Sequence, residues 1–566
     1  MIGVIARPEQ LRAVEEFFQL FKTPWELFRS GTAYDVVIAT AADDLPEIAA
    51  KLILLCGPGR SALDSDLGVL TRRRYQHAII GDGDVIVPIY RELATFDHSG
   101  DGSACLMADS EVAGVHVRLP SAIVIRLGYD LFNEVQALIS TGQPTQFAHI
   151  PTLDRHITWV RNWILGAGVP LLEIPAVPAG FSFAVCLTHD IDFVGIRRHR
   201  FDHSMWGFVY RATVGALSRF VKGRLKLSYL LRGWLAVASL PFVYAGWVRD
   251  FWEPFAWYLR AEAGLAATYF LIPFRRRAGE NVPVKRAALR AAAYDIRDVS
   301  DWVSVLLKSG CEIGVHGLDA WHSSEKGREE LTRIAEITEN QTSGIRMHWL
   351  LTDARTPSVL EQAGYAYDST CGYNETIGYR AGTTQVFRPS GAHSLLELPL
   401  HIQDGALFYP QRLDLSEPEA ASRCQEVIDN AARTGGVVTI LWHDRSHGPE
   451  RFWGDFYVKL TGQLLSLNCW FGTASQVVGW FRKRREARFE RVPGSTGLRV
   501  RYEGGRIEPP LIVRIYTPVA DSSASGSSTR NFVETVWTGQ GIQEVHLPSA
   551  ADFSCALPRA GVSDLS

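Results

Sequence analysis

Four short segments each place acid, base or metal-ligand residues at the end of an apolar run. The first is Thr188-His189-Asp190-Ile191-Asp192, directly after AVCLT (184–188). If the strand continues, Asp190 and Asp192 point to the same side. Two carboxylates leaving a buried strand are costly unless they bind a cation or do acid–base work; taken alone, a helix cap or loop aspartates would account for the pair equally well. The second is EIGVHGLDAWHS, with His316 at a strand end and His322 six residues on. The third is GIRMHW, where Arg346 could hold a catalytic carboxylate ionised and His348 lies two residues further. The fourth is VVTILWHD (437–444), whose His443 could act as a general acid. Together these strand ends make a metal-assisted hydrolase the economical account.

The elements that must position them alternate along the chain. AVCLT and ATYFLI (267–272) read as buried strands, and DWVSVLLKSG (301–310) as a helix stopped by glycine before the strand CEIGVH. KGREELTRIAEITEN (326–340) is an amphipathic helix, and Ser416 opens another that ends at Gly435-Gly436 before the strand at 437–443. Such alternation predicts a parallel sheet, open or closed into a barrel, with catalytic groups at its C-terminal edge.

At 566 residues the chain is too long for one domain. Residues 1–175 read as an N-terminal α/β domain without a phosphate loop, and the proline-rich stretch 169–181 as a linker. Residues 183–489 carry the strand–helix alternation with an insertion at 194–265, and 490–566 read as a small antiparallel β module. The net charge of −3 excludes a nucleic-acid binder that works through global positive charge. Eight cysteines without a CxxC pair suggest buried free thiols and a reducing compartment. With no signal-peptide pattern and no uninterrupted apolar run of spanning length, a cytoplasmic protein is expected; the nearest run, 233–248, contains a proline. Residues 194–250 hold ten Lys/Arg against two Asp. That segment reads as a solvated helical lid or as a patch that places the protein at an anionic membrane surface.

The order of the four segments resembles the polysaccharide deacetylases, the NodB-homology or family-four carbohydrate esterases. LTHDID resembles that family's first motif, EIGVHGLDAWHS its second, GIRMHW stands where its third falls, and TILWHD resembles its last. ATYFLI, LEQAGYAYDST and ELPL resemble intervening elements. The likeness covers about 184–485 and implies an irregular (β/α) barrel. It implies Asp190 as general base, Asp192 and His316 as ligands of a divalent metal, most often zinc, Arg346 as the residue orienting the base, and His443 as the acid. The implied reaction is hydrolysis of an N-acetyl amide on an amino sugar of a polysaccharide or glycan precursor. The alternatives are a degenerate saccharide-binding barrel and a small-molecule amidase on the same fold.

A hydrolytic zinc site needs a third protein ligand. The second motif here is His-x5-His, with Ala320 where the family has its second histidine. His322 reaches the ion only if 317–321 forms an irregular loop; His348 is the next candidate, and Asp319 the third.

Overall fold

The computed structural model describes residues 1–40, 48–99, 102–283, 287–339, 344–492, 497–518 and 532–545. The chain divides into two compact units. One combines Met1–Phe132, His156–Pro175 and Arg482–Ser566; the other combines Asn133–Arg155 with Ala176–Phe481.

The second unit is built on nine parallel strands: β1 (Phe183–Ile191), β2 (Ala267–Leu271), β3 (Glu312–Gly317), β4 (Gly344–Met347), β5 (Tyr367–Asp368), β6 (Leu396–Glu397), β7 (Ile402–Gln403), β8 (Val437–Leu441) and β9 (Cys469–Phe471). Their order is β6-β5-β4-β3-β2-β1-β8-β7, with β9 also on β1. Residues 398–401 alone separate β6 from β7, so the two edges of the curled sheet share one stretch of chain. That is the irregular barrel.

The strand period of two decides which side chains see the interior. Phe183, Val185 and Leu187 of β1, Tyr269 and Leu271 of β2, Ile313 and Val315 of β3, Ile345 and Met347 of β4, and Val438 and Ile440 of β8 belong to one apolar core with the surrounding helices. The alternate positions therefore face inward: 188, 190 and 192, then 316, 346 and 348, then 441 and 443. Every candidate lies on that inner set except Asp319 and His322, which fall beyond β3.

Two glycines make room inside. A Cβ on Gly344 would lie 1.8 Å from Cζ of Tyr367, and one on Gly314 2.6 Å from Phe270. The Tyr367 phenol donates to Glu312, which also accepts from Thr268 Oγ1.

The insertion folds as helices His203–Tyr210 and Ala216–Val221, joined by a π-turn at Arg211–Gly215, then Leu227–Tyr244 and Phe255–Ala261. A small cluster of Ile196, Phe208, Ala212, Leu240, Val243 and Trp252 holds it together. Trp252 Nε1 ties it to Glu450 at 3.2 Å, and the Tyr229 hydroxyl to Asp455 at 2.5 Å. The apolar run at 233–248 overlaps a longer helix that begins upstream at Leu227 and carries Pro241 in its last turn, where the ring removes the N–H that would bond to the Val237 carbonyl. Its 18 residues are long and apolar enough to cross a membrane by length and composition.

The first unit has its own nine-stranded sheet. Ile2–Ile5, Trp25–Leu27, Val36–Ala39, Leu52–Cys56 and Ile123–Leu127 pair in parallel. Four antiparallel strands, Glu111–Arg118, Val85–His98, Val69–Asp82 and Ser103–Ala108, extend it. The described strands of 490–566 pair antiparallel, and one strand from earlier in the chain joins them. Leu171–Glu173 pairs antiparallel with Leu511–Tyr516, so a strand from before the barrel completes a C-terminal sheet. Three residues between prolines gave no strand signal in the sequence. Residues 546–566 lie outside the described residues. The seven described cysteines are unpaired.

Gly344→Ala should destabilise the protein by about 1–3 kcal/mol, since the strand cannot move without shifting Tyr367. Thermal denaturation checks this; an unchanged midpoint would mean that the interior relaxes freely around the new methyl group.

Candidate active site

The inward residues converge at the C-terminal end of the strands. Asp190 Oδ1 accepts from Arg346 Nη1 at 3.0 Å. The arginine is fully buried, and it also donates to Thr188 Oγ1 at 2.7 Å, the Ser369 carbonyl at 2.9 Å and Ser369 Oγ at 2.8 Å. Register explains the meeting: β4 places Arg346 directly beside His316 of β3. Asp190 Oδ2 has no hydrogen-bond partner among the described residues and lies 3.9 Å from His316 Nε2.

Asp192, His316 and His348 bring one donor atom each within 4.8 Å of the others. Asp192 Oδ1 is 3.4 Å from His316 Nε2 and 3.5 Å from His348 Nε2. His316 Nδ1 lies 2.9 Å from the Arg346 carbonyl, which can only accept, so Nδ1 carries a proton and Nε2 is the atom presented to Asp192. Burial opposes a charge on His316, but Asp190 and Asp192 outweigh it and raise its pKa. Burial pushes His348 down to about 4, which keeps it neutral and able to ligate. Asp192 Oδ1 and His348 Nδ1 are buried without a hydrogen bond. A carboxylate and two imidazoles converging with orphaned polar atoms fit a divalent cation.

The turn after β4 aims His348. Trp349 takes a left-handed backbone (φ 59°) and so does Leu350 (φ 55°). Such conformations cost bulky residues of order 1–3 kcal/mol and collect at functional sites. Stacking of Trp349 on the His348 ring at 3.9 Å and a hydrogen bond from Asn374 to the Trp349 carbonyl hold the turn.

His322 does not join this group, which corrects its assignment as a ligand. Its Nε2 lies 3.3 Å from Asp319 Oδ1. Residues 317–323 do form an irregular loop, but the backbone amides of Leu318 and Asp319 donate to the buried Glu330 carboxylate, and Ser323 caps the following helix. That anchoring turns His322 toward Asp319. Asp319 Oδ1 also accepts from the Glu280 amide, so Asp319 is engaged away from the cluster as well.

His443, just past β8, pairs through Nδ1 with Asp404 Oδ1 at 2.6 Å, and its amide donates to Asp404 Oδ2 at 2.9 Å. Burial works against the charged ring, yet Asp404 outweighs it and pushes the His443 pKa up to about 10. At neutral pH His443 is therefore protonated, as a general acid must be. Asp404 is itself fully buried and also accepts from Ser446 Oγ. Sequence reading missed Asp404; its only trace is an acid directly after the short strand HIQ.

One cavity of about 450 Å³ joins these groups. Its lining includes Asp190, Asp192, His316, His348 and His443, with His203, Ser204 and Arg211 of the insertion forming part of its wall.

No family model and no curated protein matches the chain. Among solved structures it is similar to several polysaccharide and carbohydrate deacetylases. Agd3, a carbohydrate deacetylase, is 9% identical with a TM-score of 0.37, over 96% of this chain and 97% of that one. The catalytic domain of a peptidoglycan N-acetylglucosamine deacetylase from Eubacterium rectale is 13% identical with a TM-score of 0.24, over 53% and 93%. Puue allantoinase is 14% identical with a TM-score of 0.34, over 54% and 92%. All three likenesses are distant in sequence and in superposition.

Purified variants equilibrated with zinc should separate the two histidines. His348→Ala should lose bound zinc as measured by elemental analysis, and His322→Ala should retain it. The reverse result would return the ligand role to the second motif.

Proposed function

We propose that this protein is a zinc-dependent deacetylase that hydrolyses an N-acetyl amide on an amino sugar of a glycan or glycan precursor. The observation that carries the reading is that Asp190, held by Arg346, and His443, held by Asp404, both stand beside one Asp-His-His donor set in a single cavity. The order of motifs along the sequence supports the sugar amide as substrate class.

A zinc ion held by Asp192, His316 and His348 would supply Lewis-acid polarisation of the amide carbonyl and a more acidic water. Asp190 takes the proton of the attacking water on Oδ2, because Arg346 occupies Oδ1. Arg346 keeps that carboxylate oriented. His443 gives its Nε2 proton to the departing amine nitrogen, and Asp404 at Nδ1 stabilises the ring while it is charged. Asp404 is thus a positioning residue. The cavity's wall from the insertion favours a second reading, in which the substrate is a small amide or the end of a chain rather than the middle of a polymer.

Asp190→Asn should abolish acetate release from N-acetylated amino sugars while zinc content stays at the wild-type level, since the amide keeps the shape but cannot accept the proton. His443→Ala should lower kcat on the order of 10²–10⁴-fold, again with zinc retained. Full activity in the Asp190 variant would sink the assignment. Release from small amides but from no amino sugar would favour the second reading.

A further inference from the structure

The cavity that holds these acids is also lined by Arg211, Arg290, Arg412, Arg445 and Arg451. Their charges are poorly matched. The nearest carboxylate to Arg445 is Asp444 at 4.0 Å, and the nearest to Arg211 is Glu450 at 3.9 Å. Among the described residues, the side chains of Arg290, Arg412 and Arg451 have neither an ion pair nor a hydrogen bond. Arg451 is only 8% exposed. Tyr409, Glu450, Asp444 and Asp404 lie near enough to raise the Arg451 pKa against its burial, but none makes an ion pair or hydrogen bond with its guanidinium, so its N–H groups face the cavity without a partner among the described residues. Arg445 Nε is likewise buried without a hydrogen bond.

Stacking fixes both heads. Arg451 lies over Tyr409 at 5.2 Å and Trp453 at 5.0 Å, and Arg445 over Phe193 at 3.7 Å and Trp252 at 4.9 Å. Aromatic contact holds a guanidinium without using its N–H groups, which stay free for an oxyanion. Burial and the charge on Arg451 push the pKa of Arg445 down to about 10, as expected for crowded cations.

We propose that Arg451, Arg445 and Arg412 form an anion subsite beside the Asp192–His316–His348 cluster, and that the substrate carries a phosphate or carboxylate near its amide. The substrate half of this inference rests on the deacetylase reading; the anion subsite itself does not. The test compares N-acetylglucosamine 1-phosphate, an N-acetylated amino uronate and neutral N-acetylglucosamine on the zinc-loaded protein. The two anionic sugars distinguish phosphate from carboxylate. Arg451→Gln should raise KM for the preferred anionic sugar roughly tenfold or more and leave the neutral sugar unchanged. Arg412→Gln, at a more exposed position, should act in the same direction, and melting temperature reports whether each variant is folded. Calorimetric binding of the sugar phosphate is measured in parallel. Binding that Arg451→Gln abolishes, without hydrolysis of any sugar, would keep the subsite and end the deacetylase reading. Equal hydrolysis of neutral and anionic sugars, or binding unaffected in both variants, would overturn the inference.

A separate observation concerns the outside of the insertion. Trp206, Tyr210, Val214, Leu217 and Val221 follow helical spacing, yet all are exposed. Leu227, Leu231, Trp234 and Leu235 repeat this on the next helix, which is only 22% buried. Apolar stripes at this spacing ordinarily face a core. Here they face solvent, with Arg219, Lys222, Lys226 and Arg232 close by in sequence; Arg224 is paired with Asp414. We infer that this face docks on an anionic lipid surface, where apolar side chains enter the interface and cations meet the headgroups. Full-length protein should sediment with phosphatidylglycerol-containing vesicles, less so as salt rises and less with pure phosphatidylcholine. Trp206→Ser with Leu235→Ser should abolish this. Absence of sedimentation, or a dimer in light scattering that the same two substitutions split, would overturn the inference and assign the face to a second copy of the chain.

Discussion

One buried guanidinium sets the geometry of the site. Arg346 spends its side-chain donors on Thr188, Asp190 and Ser369, and its own carbonyl accepts from His316 Nδ1. The same residue thus orients Asp190 through its side chain and fixes the tautomer of a candidate ligand through its backbone. Such pairing offsets the cost of burying the arginine; removing one partner of a buried pair costs about 3–5 kcal/mol. The strand register that sets Arg346 beside His316 is what allows one residue to do both.

The opposite wall uses a second pair, His443 with Asp404. The two pairs have opposite consequences. Arg346 donates to one oxygen of Asp190 and leaves the other free to accept. Asp404 stabilises the cationic ring it touches and leaves Nε2 able to give a proton. Under the proposed deacetylase reading, these two pairs would present a base and an acid to one cavity.

The inner face of the barrel was legible from sequence because it follows the strand period. Asp190, Asp192, His316, Arg346 and His443 sit at ends of apolar runs, and alternation sends them inward. His322 was misread because the loop after β3 is shaped by Glu330, which is distant in sequence and carries no local signal. His348 emerges from a left-handed turn at Trp349 that no propensity predicts. Asp404 follows a strand of only two residues. Arg211 comes from the insertion, Arg290 and Arg412 from two other segments, and Arg445 with Arg451 from the stretch after β8, so only folding collects them. The apolar run was read from 233 because Arg232 bounds it, whereas the helix takes in Arg232 and begins at Leu227. The strand Leu171–Glu173 was hidden in a stretch whose prolines read as a linker.

The account depends on Asp192, His316 and His348 being one metal centre. The most direct measurement is X-ray absorption at the zinc edge of the purified protein, together with zinc content. The account predicts one zinc per chain with two imidazole nitrogens at about 2.0–2.1 Å and a carboxylate oxygen in its first shell. Zinc bound through sulfur, a shell without two imidazoles, or protein that stays metal-free in excess zinc would contradict it.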